Sequence, residues 1–460
     1  MLEKKTYTLA AACTVASAWA AGHSLAQGVP VSEIVGDGSA DAASSPEATF
    51  SDDPMSAIEQ FFMDGKVNAN IRLRYEYADQ DGLRSSNAWT GRLRLGYHTA
   101  DLFGFSAMAE FEATGTPDED SYFAGPRGTP GRTIIADPTN VELNQLFAQY
   151  FYEADDSPLS VKARVGRQRI ILDNSRFIGN VGWRQNEQTF DAAYIETSLI
   201  EGLVLRGGHI EQVNRIFGND VEAGPFDNFD SHSQFVNVSY DALDIGGFKP
   251  GKLVGFVYIF DFDNAAVNSV NSYGLLLTGS QPINDDVKLA YSASYAFQTD
   301  GSNNPRGAYL AHYGAAEGKL VFKGFDFGGG YELLGADDGN QFLTPLATLH
   351  KFNGFADRFL AGATANGGPN GLQDFYGFVG VTLPWEIKAR AWYHAFATAD
   401  QMEYVGSEID FVLSKKLSKH FTVLFKYANF FDGEGYIAST GAGIGMPDIQ
   451  RASIQLDFAF

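Results

Sequence analysis

Six basic side chains sit two apart in three short stretches: Arg72 and Arg74, Arg92 and Arg94, Lys162 and Arg164. The positions between them are Leu73, Leu93 and Ala163, so in an extended backbone the cations share one face and the apolar residues the other. Lys388 and Arg390 repeat the spacing against Ile387, Ala389 and Ala391. Gly166-Arg167-Gln168-Arg169 follows the third pair and runs into a segment carrying Arg176 and Arg184. Converging guanidinium groups bind carboxylates or phosphates through paired N–H donors. The competing reading is an ion network within the wall, because Glu76, Glu110 and Glu112 fall on the same face. The two are compatible, since a glutamate can hold an arginine in a fixed pose.

Other chemistry has little support. The chain has no Gly-x-Ser-x-Gly, His-Glu-x-x-His or phosphate-loop pattern, and its eight histidines are scattered. No enzyme activity and no cofactor is implied. Asp337-Asp338-Gly339-Asn340 could hold calcium but lacks a full ligand series, and reads more simply as a turn. The net charge of −23 argues against a nucleic-acid partner.

The elements that must carry the cations are strands. Val67 to Tyr77, then 88–98, 104–114, 286–298 and 386–396 alternate apolar with polar or small residues. The last twelve residues do the same: Arg451, Ser453, Gln455 and Asp457 on one side, Ala452, Ile454, Leu456, Phe458 and Phe460 on the other. No apolar run approaches the ~20 residues of a membrane helix. Short links near 99–103, 153–158, 200–202, 241–250, 280–285, 322–325, 383–385 and 415–419 alternate with longer ones, such as 115–139, 169–188 and 336–371. The pattern predicts an all-β protein: a transmembrane antiparallel β-barrel of about 18 strands, 16 being the alternative, with short periplasmic turns and long extracellular loops. A barrel so wide leaves an aqueous interior that side chains alone do not fill. The 336–371 loop, which carries His350, Lys351 and Arg358, is expected to pack over the barrel mouth, direct contact with substrate being the alternative.

Ahead of the strands, Lys4 and Lys5 followed by a small, apolar stretch containing Cys13 predict an export signal over 1–26. Residues 27–66 hold eight acidic residues and one basic, predicting a linker that ends in a short helix begun by Asp53-Pro54. That helix could tuck against the periplasmic end or plug the lumen. The barrel then spans 67–460. The final strand, closing on Phe460, resembles the assembly signal of bacterial outer-membrane barrels. Outer-membrane lipid and the barrel-assembly machinery are therefore expected partners.

The run from Gly166 through Arg169, Asp173-Asn174-Ser175-Arg176-Phe177, Trp183-Arg184-Gln185-Asn186-Glu187 to Phe190-Asp191-Ala192 resembles the signature of the alginate-export family of outer-membrane porins. A second stretch, Phe342 to Leu360 with His350-Lys351-Phe352-Asn353-Gly354 at its centre, resembles another segment of that family. The resemblance implies an 18-stranded monomeric barrel with an arginine-rich constriction. The function expected of such a barrel is passive passage of anionic or polar saccharides, and by strand parity and their place in the loop after the fifth strand Arg72, Arg74, Arg92, Arg94, Lys162, Arg164, Arg167, Arg169, Arg176, Arg184, Lys388 and Arg390 are expected to line or border the pore. No short link looks long enough to be the periplasmic lid of the polymer exporters, which sets this chain apart from them. A general small-solute porin is the alternative. An outer-membrane enzyme or an adhesion barrel fits less well.

Overall fold

The computed structural model describes residues 53–218, 226–360, 367–433 and 446–460. The expected export signal, Cys13 and the linker up to residue 52 lie outside the described residues.

Eighteen long strands form one sheet. In order they are β1 (Lys66–Gln80), β2 (Ser86–His98), β3 (Phe105–Gly115), β4 (Asn140–Glu153), β5 (Ser160–Gln168), β6 (Thr189–Ile200), β7 (Leu203–Asn214), β8 (Asn228–Tyr240) and β9 (Lys252–Phe260). They continue as β10 (Val270–Pro282), β11 (Val287–Asp300), β12 (Leu310–Phe322) and β13 (Phe325–Leu334). A small hairpin, β14 (Ala336–Asp337) and β15 (Asn340–Gln341), interrupts the series. The wall resumes with β16 (Leu372–Leu383), β17 (Ile387–Ala397), β18 (Tyr404–Lys416), β19 (Phe421–Asp432) and β20 (Ile449–Ala459). Each wall strand pairs antiparallel with its neighbours in the sequence. β1 then pairs β20 from Asn70↔Ala459 to Gln80↔Ile449, which closes the sheet into a barrel. Phe460 extends the seam: its N–H donates to the Ala69 carbonyl at 2.9 Å and its carbonyl accepts the Ala69 N–H at 3.1 Å. The fold is the closed antiparallel barrel that the alternation predicts, with 18 strands rather than 16.

Alternation sets the two surfaces. On β1, Ile71 and Leu73 are exposed outward, whereas Arg72 and Arg74 are fully buried inward. Ring pairs cross adjacent strands on the outer face near both rims: Tyr75–Trp89 and Tyr331–Phe375 at one end, Phe105–Tyr150 and Phe421–Phe458 at the other. Rings at these two levels mark the membrane–water boundaries.

The helix Pro54–Met63 begins as its cap predicts: the Asp53 carboxylate accepts the Ser56 N–H at 3.1 Å and proline fills the first turn. The Phe61 carbonyl accepts the Ala100 N–H at 3.0 Å in the β2–β3 turn, so the helix lies at the short-turn rim. At Asp337-Asp338-Gly339-Asn340 the chain makes a tight hairpin turn, with φ of 50° at Asp338 and 77° at Gly339.

The core is luminal. Buried Ile170, Leu172, Phe177, Ile178 and Trp183 come from the loop after β5, and buried Phe342, Leu346, Phe355 and Phe359 from the loop after β15. They pack on inward rings of the wall, including Phe256, Tyr258 and Phe260 of β9 and Phe396 and Phe430. The expectation that 336–371 covers the mouth is therefore corrected for its described middle: residues 342–360 lie inside the barrel. Their many large apolar side chains find a dry partner there in the β5–β6 loop and the ring-lined wall.

Candidate functional site

The two inward loops meet edge to edge. Ile178 and Leu346 form a parallel bridge, the Gly179 N–H donates to the Leu346 carbonyl at 2.9 Å, and the Thr348 N–H donates to the Ser175 carbonyl at 3.0 Å. The Trp183 indole stacks on the His350 ring with 4.6 Å between centroids. The loop after β5 reaches the wall at Arg72, Arg74 and Thr90 on one side and at Asn237 and Lys252 on the other. The loop after β15 is held at Gln298, Asp410 and Arg451. Together they form a partition across the lumen, tied to β1, β2, β8, β9, β11, β18 and β20 on several sides of the barrel.

Arginines of β1 and β2 fasten that partition. Arg72 donates to the Gly182 carbonyl at 2.9 Å while its Nε pairs Asp457 at 2.8 Å. Arg74 lies over the Trp183 ring at 3.9 Å, pairs Asp137 at 3.1 Å and donates to the Trp183 carbonyl. Arg92 is held by the Asn70 side chain and the Gln185 carbonyl. Arg94 pairs Glu112 and, at 3.4 Å, Glu187. Arg169 also takes Glu187, through Nε at 2.8 Å. Burial would raise the Glu187 carboxyl, but Arg169 and Arg94 outweigh it and hold the group well below the usual carboxylate range. Arg184 bridges Glu76 at 3.4 Å and Asp357 at 2.5 Å. Across the lumen, Arg176 pairs Glu332 at 2.7 Å and donates to Asn353 at 3.2 Å.

In the cluster around β1, β2 and β20, Arg72, Arg74, Arg94, Arg169, Arg184 and Arg451 are bridged to Glu76, Glu110, Glu112, Asp137, Glu187, Asp357 and Asp457. Arg92 brings the cations to seven against these seven carboxylates. The cluster is thus balanced in charge, and its main work is to fix the loops. Three guanidinium nitrogens there, Arg72 Nη2, Arg92 Nε and Arg94 Nη2, are buried without a protein acceptor.

The cations with access to solvent lie nearer the short-turn end. Lys162 pairs Glu196 at 2.9 Å and Arg206 pairs the same carboxylate at 2.6 Å. Lys252 approaches Asp173 at 3.4 Å. These three side chains keep between 25% and 28% of their surface exposed. Arg164 donates to the Gln149 side chain at 2.6 Å and lies 4.9 Å from the Phe147 ring. Lys388 is exposed and shares the inward face of β17 with Arg390, which pairs Asp326. Sequence reasoning missed Arg206, Glu196 and Lys252. Their parity on β6, β7 and β9 was the available signal.

Arg167 does not join this group. Alternation along β5 carries it to the outer face, where its register partners are Leu146, half exposed, and Asp191. It pairs Asp191 at 2.7 and 3.0 Å there. The expectation that Arg167 borders the pore is corrected for that reason. Its neighbours Gln168 and Gly166 take the inward positions.

His350 sits at the loop junction. Its Nδ1 is 2.5 Å from Asp357 and its Nε2 is 2.7 Å from the Lys426 ammonium. The ammonium can only donate, so Nε2 accepts and Nδ1–H donates to Asp357, which defines a neutral imidazole. Burial pushes its pKa down to about 3.

Residues 47–202 match the model of the alginate export family. No curated protein matches the chain by sequence. Among solved structures, Acinetobacter baumannii OccAB2 superposes with a TM-score of 0.64 at 15% identity, covering 87% of this chain and 99% of that one. Pseudomonas aeruginosa OpdL gives 0.60 at 14%, covering 86% and 99%. OpdK from the same organism, solved with vanillate, gives 0.62 at 13%, covering 87% and 99%. These identities speak to fold. With the lipid-facing belt and the family match, they place the barrel in the bacterial outer membrane: the chain is an outer-membrane β-barrel of porin architecture whose first part matches the alginate-export family.

Proposed function

We propose that the chain is a monomeric outer-membrane channel for passive passage of anionic or polar saccharides. The observation that carries this reading is the set of part-exposed cations, Lys162, Arg164, Arg206 and Lys252, on the luminal wall beside the partition. Guanidinium and ammonium groups that keep contact with water can exchange a wall carboxylate for a passing one at little cost. Buried pairs such as Arg94–Glu112 cannot, because breaking them strands a charge. The vanillate of OpdK is a small carboxylate carried on the same fold, which agrees with an anionic solute.

In this reading residues 1–26 are the export signal, 27–66 a linker with its terminal helix, and 67–460 the wall and its loops, inserted by the barrel-assembly machinery. The partition favours short saccharides over a polymer, since a long chain would have to displace the Trp183–His350 junction.

The test is reversal-potential recording in planar bilayers at low salt, where the Debye length exceeds roughly 10 Å. Lys162→Glu with Arg164→Glu should move selectivity toward cations, and oligouronates should block the wild-type channel more than neutral sugars of equal length. Unchanged selectivity together with equal block would leave the general small-solute porin as the function.

A further inference from the structure

Three side chains that the channel does not use converge on the outer face of the barrel near its long-loop end. His209 and Glu211 are two apart on β7, and His232 lies beside them on β8. One donor atom from each lies within 4.8 Å of the other two. Nε2 of His209 is 3.0 Å from Oε2 of Glu211, and Nδ1 of His232 is 3.9 Å from the same oxygen. The two imidazoles face one another, 6.5 Å between centroids and 20° from parallel. Local structure explains the convergence. The β7–β8 register breaks between Ile210 and Gln212, and Glu211 has no partner on β8. A bulge of this kind re-aims a side chain, here toward His232.

The level of the site matters. On the same outer face, Val236 and Val257 are exposed apolar residues deeper along β8 and β9, Ile259 is level with His209 through Gln234, and Arg167, Asp191 and Asp230 are polar residues toward the rim. The histidines therefore stand at the upper edge of the apolar belt, where headgroups and water begin.

Two imidazoles and a carboxylate are the donor set of zinc and its first-row neighbours. Calcium and magnesium prefer all-oxygen shells. Tetrahedral bonds of about 2.0–2.2 Å put donors roughly 3.3–3.6 Å apart; the observed 3.0 and 3.9 Å bracket that spacing, and the two imidazole nitrogens, within 4.8 Å, would close onto the ion. A second observation points the same way. Nε2 of His232 faces Oδ2 of Asp263 at 3.6 Å, and Asp263 is fixed by its N–H to the Asp230 carbonyl at 2.9 Å. At 3.6 Å the two are in ionic contact and not hydrogen-bonded; closing by a few tenths of an ångström would let the carboxylate hold the proton on the far nitrogen and leave the near one free to ligate, as in carboxylate–histidine–zinc arrangements.

We propose that Nε2 of His209, a carboxylate oxygen of Glu211 and Nδ1 of His232 bind a first-row divalent ion, zinc foremost, with Asp263 as the positioning residue and water in the fourth place. The ion ties the extracellular ends of β7 and β8 together and stabilises the folded barrel by mass action.

The experiment uses the full barrel in detergent, without a polyhistidine tag and after chelation, titrated with zinc chloride by calorimetry. One saturable equivalent is expected, as are cobalt(II) d–d bands of tetrahedral nitrogen–oxygen coordination. The temperature at which the folded gel band converts to the unfolded one should rise with zinc. His209→Ala and His232→Ala should each abolish the cobalt bands. Asp263→Asn should keep the stoichiometry and weaken affinity by about tenfold. All three residues are exposed, and the same gel verifies that the variants fold. No saturable zinc binding, binding unchanged in the double histidine variant, or calcium competing equally would overturn the site.

Discussion

Arg184 and Asp357 join the two inward loops: the guanidinium of one meets the carboxylate of the other at 2.5 Å, while Arg184 also reaches Glu76 on the wall at 3.4 Å. The carboxylates around it hold the arginine firmly charged against the pull of burial. One contact thus ties loop to loop and both to β1.

Asp357→Ala should loosen that junction. Removing one partner of a buried pair typically costs about 3–5 kcal/mol, because the other charge is left without compensation. The barrel wall does not depend on the contact, so the variant should still run as a folded band. Single-channel recordings should show larger or noisier currents than wild type. Identical currents would mean that the partition stays seated without this pair.

His350 predicts a pH dependence. Its folded pKa, near 3, lies below the ordinary value of 6.5. The unfolded chain takes up a proton as pH falls through 6.5 and the folded protein does not. Stability is therefore complete above 6.5 and falls progressively toward 3, by roughly 1.4 kcal/mol per pH unit at most. His350→Gln should flatten this part of the profile. Thermal unfolding of both proteins between pH 7 and pH 4 measures the difference, and parallel profiles would refute it.

Glu187→Gln should be among the most damaging changes in the partition. Its carboxylate takes Arg169 and Arg94 and accepts from Asn144 and Asn180, each at 2.7 Å. The amide keeps the shape but leaves two buried guanidiniums without their shared anion, at a cost of about 3–5 kcal/mol. A drop in the heat-conversion temperature checks it, and an unaltered temperature would show that the arginines find other acceptors.

Deleting Phe460 should reduce folded, heat-resistant barrel in the outer membrane. The residue is 72% exposed on the outer face and adds two backbone hydrogen bonds to the seam with Ala69. Substituting it by Ala keeps the backbone bonds and separates side-chain recognition from seam length. Normal assembly of both variants would remove the signal role.

The wall was legible because strands obey a period of two and the links alternate in length. Ile71, Arg72, Leu73 and Arg74 announce their faces one by one. β9 is the exception. Its run of Val254, Phe256, Tyr258 and Phe260 inward and Val257 and Ile259 outward is apolar on both sides, since one face meets lipid and the other the luminal core. Loops carry no such period. Nothing near Trp183 in the sequence indicates that its ring rests on His350, and nothing near Ala356 indicates that its N–H meets Glu408. The arginines were recognisable as a group, but their partners come from strands distant in sequence. Arg167 was misplaced by reading Gly166-Arg167-Gln168-Arg169 as a cluster instead of continuing the alternation.

The partition touches both edges of the closing seam. Arg72 on β1 holds the Gly182 carbonyl, and Arg451 on β20 holds the Ala356 carbonyl at 2.8 Å. An open sheet would present these arginines on separate edges, with the loops between them bound to one side at a time. Zipping β1 to β20 and seating the loops are therefore coupled steps of assembly. A barrel trapped before closure should expose its luminal aromatic rings to the periplasm, where holding chaperones and proteases would find them.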